Sequence, residues 1–170
     1  MRIIQKILSS LCFASFFAVS LAANAGEKIE QSSIKSNPRI VARSATALSD
    51  VPNHEVGQEV QLSDIKFSHP SFKVKEEWVY NQFNFVGGTG PHWGMFIDVH
   101  DDGSQTFGKY EGSQKTVSSA DGSWTATWEG TYKYTGGTGK YKNIKGSGTY
   151  KGKATSAGDF REDGKETAEY

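Results

Sequence analysis

Trp124 to Tyr134 is the stretch that most narrows what this chain can become. Ring-bearing or small residues (Trp124, Ala126, Trp128, Gly130, Tyr132, Tyr134) alternate there with Thr125, Thr127, Glu129, Thr131 and Lys133. A strand sends successive side chains to opposite faces, so a period of two describes a sheet with one face enclosed and the other in water. A helix would scatter the same rings around its circumference. The Asp121-Gly122 pair just before it supplies a turn, because both residue types tolerate positive φ.

The same signal recurs from Phe72 onward. Lys73 to Val86 is rich in Trp, Tyr, Phe and Val, and Trp93, Met95, Ile97 and Val99 alternate up to His100. His100-Asp101-Asp102-Gly103 reads as a turn, with Gln105 to Glu111 returning as its hairpin partner. Tyr141 to Lys153 places Ile144, Gly146, Gly148 and Tyr150 on one face, and Asp159 to Tyr170 follows, broken at Asp163-Gly164. No segment here has the 3.6-residue period of an amphipathic helix. Glycines inside strands, such as Gly130, Gly146 and Gly148, mark places where a wall bends sharply or packs tightly. The expected fold is all-β, a closed antiparallel barrel of about eight strands, with a β-sandwich as the alternative.

The first residues are of another kind. Arg2 and Lys6 precede an apolar run from Ile7 to Leu21, and Ala23 and Ala25 stand at the small-residue positions of a cleavage site. Residues 1–25 therefore read as a secretory signal peptide, which implies export to the periplasm or beyond. The run is too short for a bilayer span. The sole cysteine, Cys12, lies inside it behind Leu11, which does not suit a lipidation site. Cleavage would leave no disulfide, no thiolate metal site and no cysteine nucleophile. Residues 26–50 are polar, aperiodic and free of aromatics, and read as a flexible leader. Residues 51–170 read as the barrel domain, beginning with a short strand or docking arm around Val60 and Leu62.

Without Arg2 and Lys6, 17 basic side chains face 19 acidic ones. A nucleic-acid binder would want a clear basic excess, and the late lysines (Lys133 to Lys153) read as a solvated outer face. There is no P-loop, dinucleotide fingerprint or nucleophile elbow. No cofactor is expected. His92, Asp98 and His100 share a strand face, but Asp101-Asp102-Gly103 is ordinary turn chemistry, and no metal site is assigned.

The stretch WEGTYKYTGGTGKYKNIKGSGTYKG, Trp128 to Gly152, resembles the signature of the allene oxide cyclase-like and dirigent-like β-barrels. The resemblance is nearest to uncharacterised exported bacterial members and extends over about Phe72 to Tyr170, with its specific part in Gly136 to Gly148. It implies an eight-stranded barrel with an inner cavity and a homo-oligomer. The catalytic residues of that superfamily do not carry over.

Aromatics on one barrel face either fill the core or line a cavity. Trp78, Met95, Ile97, Trp124, Trp128 and Tyr132 are the candidate ligand-binding residues. Glu76 has the parity of Trp78 and Tyr80, so Glu76 and Tyr80 are the candidate acid–base pair. Three readings follow. The first is an exported barrel binding a small hydrophobic or aromatic molecule. The second is an isomerase or cyclase-type enzyme using an interior Glu. The third is a structural protein with a packed interior.

Overall fold

A computed structural model describes Gly26 and residues 28–170, so the expected signal peptide lies outside the described residues. Eight strands close in chain order into one antiparallel barrel. They are β1 (Lys28–Leu48), β2 (His54–Phe67), β3 (Val74–Val86), β4 (Gly90–His100), β5 (Gln105–Ser118), β6 (Trp124–Gly137), β7 (Lys145–Thr155) and β8 (Phe160–Glu169). Closure comes from β1 against β8, in register from Lys28 opposite Glu169 to Lys35 opposite Glu162. The sandwich alternative is thereby set aside. Among the described residues, no helix is long and apolar enough to cross a membrane.

The leader expectation is corrected. Most of residues 26–50 form β1, which completes the wall, so the barrel begins at Lys28 and not near residue 51. The inward side chains of its first half are Ile29, Gln31, Ser33 and Lys35, all buried and only one of them apolar. An apolar alternation never arises, because this strand feeds polar groups into a polar interior. At Ser36-Asn37-Pro38 the ladder slips, with Asn37 at φ 50°, and a second irregularity follows between Ile40 and Ala42. Beyond Lys35, β1 leaves β8 and continues with β2 alone. Among the described residues, no strand pairs with the other edge of Arg39–Leu48.

Other local expectations also change. Asp163-Gly164 does not break the last strand: β8 runs through it. The sequence GGTG occurs twice, at residues 87–90 and 136–139, and takes two different conformations. Gly87 and Gly88 make the tight β3–β4 connection with positive φ, whereas Gly136 to Gly139 lead into a 3-10 turn at Gly139–Tyr141.

That 3-10 turn plugs one end of the barrel. Tyr141 is fully buried, with its ring 5.2 Å from Phe72 and 4.6 Å from Tyr170, and its hydroxyl donates to the Ser71 carbonyl. Phe67, Ile29, Ile144 and Ala168 complete the apolar floor. The wall above is thin where inward glycines lie beneath rings. A Cβ at Gly130 or Gly148 would collide with Tyr150 or Tyr132, so those glycines let the rings lie flat across neighbouring strands.

Candidate functional site

Above the plug is a chamber of about 670 Å³, within the range of small-molecule sites. It opens at the end carrying the β3–β4 and β5–β6 turns, where Gly87, Gly88, Ser118 and Trp124 contribute to its lining. The rim is aromatic. Phe83 stacks on Phe85 at 4.9 Å, and Trp128 packs on Phe160 at 5.3 Å. Arg43 lies over the Phe83 ring at 5.1 Å and is paired with Glu55 at 2.8 Å.

Deeper in, the lining turns polar. The Lys35 ammonium sits between the carboxylates of Glu77 at 2.7 Å and Glu162 at 2.9 Å. Burial works against the lysine's charge, but Glu162 and Glu77 together outweigh it and hold Lys35 protonated. The Glu77 carboxyl is pushed up by burial, with Lys35 pulling back and Glu162 adding repulsion. The Trp128 indole N–H donates to Glu162 at 2.6 Å. His92 Nε2 meets the Tyr150 hydroxyl at 2.8 Å, and burial lowers the imidazole's pKa. Tyr110 donates to Asn81 at 2.8 Å.

Two carboxyls lie lower still. Glu166 receives hydrogen bonds from Gln31, Tyr132 and Tyr134, which favour its ionised form, yet burial outweighs them and raises its pKa. Asp98 is 1% exposed and directly opposite Glu77 across β3 and β4. Its Oδ2 is 2.9 Å from the Thr106 hydroxyl, and its Oδ1 has no partner. Burial, then the charge of Glu77, hold its carboxyl well above the usual range.

Counting protons narrows the hydrogen-bond chain that follows. His100 Nδ1 must donate to the Lys73 carbonyl at 3.1 Å, and its Nε2 is 3.3 Å from the Thr106 hydroxyl. Thr106 has one proton to give. While Asp98 is ionised, Thr106 donates to its Oδ2; a neutral Asp98 protonated on Oδ2 donates to Thr106 instead, Thr106 then donates to His100 Nε2, and every partner is neutral. The alternative needs a buried imidazolium beside a buried carboxylate. Burial pushes His100 down to about 4, which agrees with the neutral chain.

The sequence candidates divide. Trp124, Trp128 and Tyr132 line the chamber, as their strand pattern implies. Glu76, Trp78, Tyr80, Met95 and Ile97 do not: they belong to the outer face. Tyr80 is 44% exposed and Met95 46%, and the Glu76 carboxylate accepts from the Trp78 indole outside the barrel. Trp78 stands opposite Ile97 and Tyr80 opposite Met95, so these side chains stabilise the wall by packing on one another across strands. Both faces of β3 and β4 carry apolar residues, and the larger rings point outward. The other phase, Glu77-Val79-Asn81-Phe83 and His92-Phe96-Asp98-His100, is the inner one.

The residues that sequence reasoning missed are thus Lys35, Glu77, Glu162 and Glu166, while Asp98 was noticed only as a metal candidate. Among the described residues, no group of three or more His, Asp or Glu is placed to hold a metal ion. The one available signal was parity: Glu77 and Asp98 each sit two residues from an inward apolar side chain, Val79 and Phe96. Comparison of the chain with protein-family models, with curated proteins and with solved structures finds no match.

Proposed function

We propose that this protein is an exported barrel that holds a small, partly apolar or aromatic molecule in its interior. The observation that carries this is the chamber itself. About 670 Å³ stays unfilled although rings line it, whereas a purely structural barrel of this size closes its interior with side chains. An aromatic rim over a polar interior suits a guest with an apolar body and a polar end. The resemblance to the allene oxide cyclase-like and dirigent-like barrels, and export to the periplasm or outside the cell, stand as parts of the same proposal. Native mass spectrometry of protein purified from its own host tests it. The expected outcome is a bound mass of a few hundred daltons that is lost on denaturation. A bare chain, together with no uptake of a neutral fluorescent probe such as N-phenyl-1-naphthylamine, overturns the reading.

A second reading is an isomerase or cyclase-type enzyme. Glu76 no longer supports it, being outside, but Asp98 does: a carboxyl kept neutral in a water-poor chamber can donate a proton. Wild type and Asp98→Asn compared on a panel of lipophilic and phenolic compounds decide it. Identical handling of every compound removes the catalytic reading and leaves the binding one intact.

A further inference from the structure

We propose that the preferred guest is a primary amine, an ammonium group on an aromatic or aliphatic body, with its charged end seated against Asp98 and Glu77. This rests on the binding reading above and specifies its ligand class.

Charge comes first. Even with Asp98 neutral, four carboxylates line the chamber, Glu55, Glu59, Glu77 and Glu162, against two cations, Lys35 and Arg43. Both cations are already engaged: Lys35 with Glu77 and Glu162, and Arg43 with Glu55 and, at 3.7 Å, Glu59. An anionic guest would enter a space with no unengaged positive partner. A cationic guest meets excess negative charge in surroundings where water screens poorly.

The second observation is independent of that balance. Asp98 is among the residues lining the chamber, and its Oδ1 is buried and accepts from nothing. Buried oxygens are ordinarily satisfied, and leaving one bare costs on the order of 1–3 kcal/mol. When Asp98 is ionised, or neutral with its proton on Oδ2, Oδ1 is an acceptor and calls for a donor from the guest. Ser63 and Glu77 stand beside it on the same inward row. A hydroxyl could also donate, but only an ammonium supplies both the donor and a positive charge that answers the surplus carboxylates and favours ionisation of Asp98.

The rings supply the rest. Tyr110, Tyr132 and Tyr150 line the path between rim and floor, with Phe83, Trp124 and Trp128 nearer the opening. Such faces attract an alkylammonium as it passes and hold the apolar body behind it.

The test is a ligand series that varies only charge: 2-phenylethylamine, 2-phenylethanol and 3-phenylpropionate, each displacing N-phenyl-1-naphthylamine from the full mature chain. The amine is expected to bind at least about tenfold more tightly than the alcohol, with the acid weakest. In Asp98→Asn the preference of amine over alcohol should shrink to about threefold or less, with the naphthylamine affinity measured separately for each protein so that the two series are compared on their own baselines. An alcohol or acid binding as well as the amine overturns the proposal. So does an amine preference that survives Asp98→Asn. If that variant does not fold, the wild-type series alone decides. If the naphthylamine does not bind, calorimetric titration of the same three compounds decides, and no uptake of any of them together with a bare chain in native mass spectrometry sinks the binding reading itself, which keeps the two failures distinct.

Discussion

Asp98 and His100 lie on one face of β4 and reach the same threonine hydroxyl, yet they act on stability in opposite directions of pH. Folding raises the pKa of Asp98, so its contribution is complete below the unfolded value near 3.8 and is lost as pH climbs through the folded value. Folding lowers His100 from 6.5 to about 4, so its contribution is complete above 6.5 and is lost as pH falls toward 4. Asp98→Asn removes the first effect and leaves the second. The melting temperature of the variant, relative to wild type, should therefore rise steadily from acid to neutral pH in paired thermal scans; a constant offset would contradict a neutral Asp98. Lys35 gives a sharper case. Lys35→Met strands Glu77 and Glu162 without their shared cation, and breaking such a buried pair costs about 3–5 kcal/mol. Urea unfolding should show a loss of that order, and a loss under about 1 kcal/mol would mean that water reaches the triad.

Elements differed in how far the chain announced them. In β6 the rule is simple: rings inward, threonine and lysine outward, so existence, phase and lining residues were all legible. β3 and β4 were legible as strands but not in phase, because Trp78, Tyr80, Met95 and Ile97 make an external apolar band that outweighs Val79 and Phe96 by size. β1 was illegible altogether. Its inward Gln31 donates to Glu166 and its inward Lys35 pairs with Glu77 and Glu162, all on distant strands, and no local pattern can reveal a partner 135 residues away. The lower carboxyls were hidden for the same reason: Asp98 reads only as a rejected metal candidate until Thr106 and Glu77 are placed against it. The two halves of β1 should also behave differently. Amides from Ile29 to Lys35 lie between two neighbours, whereas those from Arg39 to Leu48 have a partner on one side only. Native-state hydrogen exchange should show lasting protection in the first set and rapid exchange at alternate positions of the second. Uniform protection along β1 would show that something covers the open edge.

At the level of the whole molecule, the wall is continuous only because the chain's first described strand meets its last. A protein starting at residue 51, the boundary that composition suggested, would lack Lys35 and expose the edges of both β2 and β8. Such a truncation should lose the cooperative melting transition and the dispersed amide NMR spectrum of the longer chain. Retention of both would show that β1 is dispensable. Closure between segments so far apart in sequence also places folding in the slow regime of nonlocal β-proteins, about milliseconds to seconds. The departure of β1 from β8 after Lys35 has a further consequence for traffic. The lower girdle is stitched all the way round, while the upper rim is a split collar. On the proposed binding reading, the β1–β2 hairpin above Lys35 can lean outward for an entering molecule without parting a single rung of the β1–β8 girdle.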